Sequence, residues 1–204
     1  MAIAFKVSPT QLVNYQDYMS DSITYEELIK RYRGDFIPSV YMEIGTKFHK
    51  VVETSIPNDI FSDEANELAR KTGERFSFHE LKVRKTMEVR GFTVVLSGMC
   101  DGMTGDVIHE VKTRYSYINY DIVSKYQKSL QGLCYSYLFD CSQVVYHIVC
   151  LKKRKDGTYT LTDYAEVDVN NNDAEARLRT VLNGFIEFIL CNNLNDIFEI
   201  NGVK

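Results

Sequence analysis

The chain carries 28 acidic and 24 basic residues among 204, a net charge of -4 and a pI near 5.6. This excludes a protein that coats nucleic acid through overall charge and leaves only local basic segments for such contact. Hydrophobic residues at 45% and aromatics at 12% suffice for the core of one domain over residues 1–204. No apolar run nears the roughly 18 residues of a membrane span, and Met1–Lys6 lacks a signal-peptide pattern, so a cytoplasmic protein without membrane contact is expected.

Helices are expected at Pro9–Tyr18, at Thr24–Tyr32 with Thr24-x-x-Glu27 as a capping box, at Tyr41–Thr54, and at Ser62–Lys71 with Ser62 as cap. Strands at Phe78–Val89, Phe92–Met99 and Val107–Thr113 should form a meander. A helix over Ser124–Phe139 turns Leu130, Leu133, Tyr137 and Leu138 inward, and strands return at Gln143–Leu151 and Tyr159–Val167. A closing helix from Asp173 to Cys191 carries the stripe Leu178, Val181, Leu182, Phe185 and Ile189. This order gives an α/β fold, a sheet flanked by helices. Five cysteines, without Cys-x-x-Cys spacing, read as reduced thiols, with Cys134 and Cys141 in the core.

The chemistry gathers on the meander. Val94-Val95-Leu96 leads through Gly98 to Asp101, and Asp106–Lys112 alternates so that Glu110 and Lys112 share a face opposite Val107, His109 and Val111. Turn formers in Gly102–Asp106 pair the strands antiparallel and put Asp101 close to the turn. Two carboxylates and an ammonium at one sheet end can hold a divalent cation beside a cationic side chain. An acid-x-base step arises roughly three times by chance in such a composition, so the strand context carries the weight. Whether Asp101 meets Glu110 depends on register.

With these residues in this order, the chain resembles the PD-(D/E)xK nuclease superfamily, and within it the RecB-like branch. Ser8-Pro9-Thr10-Gln11-Leu12 with Tyr15 resembles that branch's first helix, and Gly45-Thr-Lys-Phe-His49-Lys-Val-Val-Glu53 its G-x-x-x-H-x-x-x-E helix. Gly98-x-x-Asp101 and Glu110-x-Lys112-Thr113 fit its core, and Gln131-Gly-Leu-Cys-Tyr135 its Q-x-x-x-Y helix, so the pieces run from Ser8 to about Leu151. The resemblance implies a restriction-endonuclease-like core with a mixed central sheet flanked by helices. It also implies a metal-dependent deoxyribonuclease, an exonuclease of recombination, repair or phage DNA processing in a bacterial host. Its partners would be linear or single-stranded DNA and recombination or replication proteins.

Under that resemblance Asp101, Glu110 and Lys112 are catalytic. Asp101, Glu110, the Val111 carbonyl and His49 would hold Mg²⁺ or Mn²⁺, with Glu53 either behind them or at a second metal. Lys112, with an ordinary pKa of about 10.4, suits stabilisation of a hydroxide or phosphorane better than proton abstraction. Gln131 and Tyr135 either hold substrate phosphate or the Lys112 region, or merely satisfy a helix face. Lys82, Arg84 and Lys85, and Lys152, Lys153 and Arg154, are the segments offered to the DNA backbone, though a charge run is also an ordinary solvated face. Relatives with an iron-sulfur cluster have a cysteine ahead of the core, and here none precedes Cys100. The competing reading is an inactive nuclease fold with a nucleic-acid-binding or structural role; the intact Asp101, Glu110 and Lys112 favour the enzyme.

Overall fold

The computed structural model describes residues 4–115 and 117–200. Strand β1 (Ala4–Val7) leads into α1 (Pro9–Met19), α2 (Tyr25–Arg33), α3 (Val40–Thr54) and α4 (Asp63–Glu74). A meander follows, β2 (Phe78–Val89), β3 (Phe92–Thr104) and β4 (Val107–Arg114). Then come α5 (Tyr120–Gln127), α6 (Leu130–Phe139), β5 (Gln143–Lys153), β6 (Tyr159–Asn170), α7 (Ala174–Cys191), α8 (Asn195–Phe198) and β7 (Glu199–Ile200).

The described strands form one seven-stranded mixed sheet in the order β6-β5-β4-β3-β1-β7, with β2 on the second edge of β3. β2 pairs β3 antiparallel from Phe78↔Met103 to Val89↔Phe92. The opposite edge of β3 is shared: β1 runs parallel to Thr93–Leu96, and β4 runs antiparallel to Gly102–Thr104. One core packs Leu12, Leu28, Leu133, Leu138 and Phe185 against Leu96, Ile108 and Ile148. The other packs Phe48, Val52, Ala65 and Ala69 of α3 and α4 against Val111, Val149 and Leu151. Ile108 and Val111 enter different cores, as a period of two requires.

The helices start where capping residues place them. Ser8 and Gln11 make a full capping box with Pro9 in the first turn. At Thr24 only half of the expected box forms, because the Glu27 carboxylate turns to Arg31 Nη2 at 2.5 Å. The sheet strand expected to end at Met99 runs on to Thr104, because the turn is just Gly105-Asp106, with Gly105 at φ +59°. The single helix expected over Ser124–Phe139 is two, α5 and α6. Ser129 caps α6, and Gln16 of α1 bridges the break, donating to the Lys128 carbonyl at 2.9 Å and accepting the Leu130 N–H at 3.2 Å. Cys134 and Cys141 are buried in the core. Among the described residues no helix is long and apolar enough to cross a membrane.

Candidate active site

The β3–β4 ladder stops at Gly102↔His109, and β1 takes up that edge of β3 only from Leu96. Between these points the strands part, and the two carboxylates take over the hydrogen bonding. Glu110 Oε1 accepts the Asp101 N–H at 3.3 Å, and Asp101 Oδ2 accepts the Val111 N–H at 2.7 Å. Each carboxylate is then held from a different helical layer. His49 Nδ1 of α3 stands 3.3 Å from Asp101 Oδ1. Glu110 Oε2 accepts Lys112 Nζ at 2.8 Å and Gln131 Nε2 of α6 at 3.1 Å. Gln131 also donates to the Tyr135 hydroxyl at 3.1 Å, which donates to the Met99 carbonyl at 2.8 Å.

The electrostatics follow from this crowding. Glu110 is 1% exposed, and burial together with the Asp101 charge pushes its carboxyl up to about 7. Burial works on Asp101 in the same sense, but the hydrogen bond and charge of His49, with Lys112 and the Val111 N–H, hold it below the usual range. For His49, burial opposes the charge, and the Asp101 contact outweighs it, raising the imidazole. Burial opposes the Lys112 charge too, yet Glu110 and Asp101 raise its pKa, so it stays an ammonium and is a poor base.

Two crowded carboxylates make a donor set suited to a hard divalent cation, which would relieve their mutual repulsion, and the imidazole beside them suits a transition metal. Among the described residues no three His, Cys, Asp or Glu side chains converge on one point. Mg²⁺ commonly binds through one or two carboxylates with water completing its shell, so Asp101 and Glu110 fit such an ion, with His49 adjoining.

A cleft of 740 Å³ opens onto this cluster, lined by His49, Glu80, Met99, Asp101, Val111 and Lys112, with Tyr41 and Tyr115 at its rim. The structure brings His49, Asp101, Glu110, Val111, Lys112, Gln131 and Tyr135 together, but Glu53, one turn beyond His49, pairs its carboxylate with Lys50 at 2.7 Å and does not line the cleft. Gln131 shares the acceptor Glu110 Oε2 with Lys112 and so holds the Lys112 region through that carboxylate, while Tyr135 donates to the Met99 carbonyl. The basic segments also divide. Lys82 and Arg84 are exposed, whereas Lys85 points to the other face, donating to the Tyr137 carbonyl at 2.9 Å and pairing with Asp140. Lys152 and Lys153 end β5 and Arg154 donates to Thr160 Oγ1 at 2.9 Å, on the β5–β6 hairpin and outside the cleft lining.

Sequence reasoning missed Glu80. It is a non-glycine at φ +50°, a conformation that costs roughly 1–2 kcal/mol. There the alternation of β2 inverts: His79 packs on Phe76 of the α3–α4 core, and Leu81 packs in the other core. The signal was the two-residue Arg90-Gly91 turn, which fixes the β2–β3 register and sets Glu80 across from Asp101.

No protein-family model matches the chain, and no curated protein matches it in sequence. Among solved structures, SSO0001 aligns at TM-score 0.57 and 14% identity over 90% of this chain and 76% of that one. A phage related exonuclease from Haemophilus somnus 129PT aligns at TM-score 0.50 and 13% identity over 92% and 96%. An alkaline exonuclease from Laribacter hongkongensis aligns at TM-score 0.49 and 15% identity over 92% and 89%. At these identities the likeness to SSO0001 and to the phage related exonuclease is one of fold alone.

Proposed function

We propose that this chain is a metal-dependent DNA nuclease of the RecB-like kind, an exonuclease acting on linear or single-stranded DNA in recombination, repair or phage DNA processing. The observation that carries the reading is the meeting of Asp101, Glu110 and Lys112, with His49, where β3 and β4 part at the floor of an open cleft. Asp101 and Glu110 would hold Mg²⁺ or Mn²⁺, with His49 and the Val111 carbonyl as further ligands. Such an ion, when bound, supplies an acidified water and neutralises charge on the scissile phosphate. Lys112 keeps its proton and sets a positive charge beside the developing negative charge. Gln131 fixes the rotamer of Glu110, and Tyr135 ties α6 to the parted edge of β3.

Labelled linear and covalently closed circular DNA, incubated with Mg²⁺, Mn²⁺ or EDTA, test this. Shortening of linear DNA that EDTA abolishes is the expected result. Discrete fragments from closed circles would leave the metal chemistry standing and replace the exonuclease by an endonuclease. The second reading, a nuclease fold that binds without cutting, draws on the absence of a three-side-chain cluster among the described residues. Binding with no cleavage in any metal would establish it.

A further inference from the structure

α3 and α4 pack on β4 and β6, and among the described residues no helix covers β1 and β2 on the sheet face that carries the cleft. Direct pairs share a face, so Lys82 lies beside Met99, Arg84 beside Ser97 and Lys6 beside Val95. Lys6, Lys82, Arg84 and Ser97 line a single groove of 420 Å³. All three cations are exposed, and among the described residues none of them has a carboxylate within salt-bridge distance. Several other cations are taken up by carboxylates: Arg31 by Glu27, Arg75 by Glu166, Arg90 by Glu187 and Lys85 by Asp140. In a chain of net charge -4, three unpaired cations in one groove are a local feature with no internal use.

The groove is continuous with the candidate active site along one strand. Asp101 and Met99 line the cleft, and Ser97, two residues before Met99, lines the groove. Resting on the nuclease reading, we propose that Lys6, Lys82 and Arg84 form a track for the phosphodiester backbone of one DNA strand as it leaves the cleft. From Asp101 to Ser97 is four residues, roughly 13 Å of strand, or about four nucleotides at the spacing along one strand of a duplex. The track contacts backbone, so it positions the strand without reading its sequence. Lys82 and Arg84 reach the open side because β2 alternates there, and the same alternation turns Lys85 away.

The test is oligonucleotide binding in EDTA, followed by fluorescence anisotropy over a salt series, which needs no cleavage. For a single strand of about 20 nucleotides, each cation contacting phosphate contributes about 0.7 to the slope of log K against log salt. The triple variant Lys6→Gln/Lys82→Gln/Arg84→Gln should lower that slope by about 2, while Lys85→Gln leaves it unchanged. A probe of two nucleotides should bind the triple variant as it binds the wild type. An unchanged slope in the triple variant, an equal loss with Lys85→Gln, or a wild-type protein that binds no oligonucleotide overturns the track. A wild type that binds with the expected slope but cuts nothing in Mg²⁺ or Mn²⁺ overturns the nuclease reading and leaves the track standing.

Discussion

A glycine inside a helix costs roughly 1 kcal/mol against alanine, and Gly45 lies in the second turn of α3, one turn before His49. A Cβ there would stand 2.7 Å from Thr113 Oγ1, where ordinary contact begins at 3.4 Å. Gly45→Ala must therefore displace α3 or Thr113 by about 0.7 Å, the difference of those two distances. Thr113 is β-branched and stiff at χ1, so the helix takes part of the movement. Carried in full to His49, that shift stretches the 3.3 Å contact with Asp101 to about 4.0 Å, beyond hydrogen-bond range. A displacement near 1 Å at a reacting centre costs on the order of a hundredfold in rate. Gly45→Ala should thus change stability by less than about 1 kcal/mol, helix propensity offsetting contact strain, while cleavage falls about ten- to a hundredfold. Thr113→Ala removes the obstruction, so the double variant should recover the rate and keep the propensity gain. Single-turnover rates and urea melts of the four proteins complete the cycle. A wild-type rate for Gly45→Ala, or a double variant as slow as the single, refutes the close-approach argument.

Gly98→Ala would set a Cβ 2.8 Å from Leu138 Cδ1 and 2.9 Å from Pro9 Cγ, and should cost about 1–3 kcal/mol by overpacking, read from urea melts; a neutral result would mean α1 and α6 yield freely. Glu110→Gln should abolish cleavage and destabilise by about 1–3 kcal/mol, since its amide would face Lys112 Nζ and Gln131 Nε2, both donors; retained cleavage would remove Glu110 from the site. Burial lowers the pKa of His147 to about 4, below its unfolded value of about 6.5. The unfolded chain then binds more protons, so this stability is complete above pH 6.5 and is lost as pH falls toward 4, by about 3 kcal/mol in all. Melts at pH 7.5, 6 and 5 should show the loss in wild type and a shallower slope in His147→Asn; parallel slopes would exclude His147 as its source.

Most of the fold was legible because its signals are local. Ser62 caps α4 and β2 occupies Phe78–Val89 as the pattern of residues indicated. What local signals miss is what tertiary contacts decide. The break between α5 and α6 depends on Gln16, more than a hundred residues away in sequence. Strand β1 has four residues and gains its place by pairing with β3 and β7. In the candidate site, the step from Glu110 to Lys112 follows from a period of two, whereas the absence of Glu53 from the cleft lining follows from competition by Lys50, which the spacing alone leaves out. The Asp101–Glu110 juxtaposition was nearer to hand than it looked. A two-residue Gly105-Asp106 turn fixes Thr104↔Val107, and the same count places Asp101 opposite Glu110.

The carboxylates of this site have a structural duty that changes how its variants should be read. Active-site charges usually cost stability, so removing them tends to stabilise a protein. Here Asp101 and Glu110 accept the N–H groups of Val111 and Asp101 at the point where the strands part. A buried N–H left without an acceptor costs about 1–3 kcal/mol, which opposes the relief of carboxylate repulsion. Substitutions that keep an acceptor, such as Asp101→Asn, retain the cross-link, whereas Asp101→Ala leaves the Val111 N–H unmatched. Loss of activity in an alanine variant therefore mixes lost chemistry with a loosened sheet. The Asn variant, compared with Ala at equal metal concentration and with melts of both, separates the two contributions.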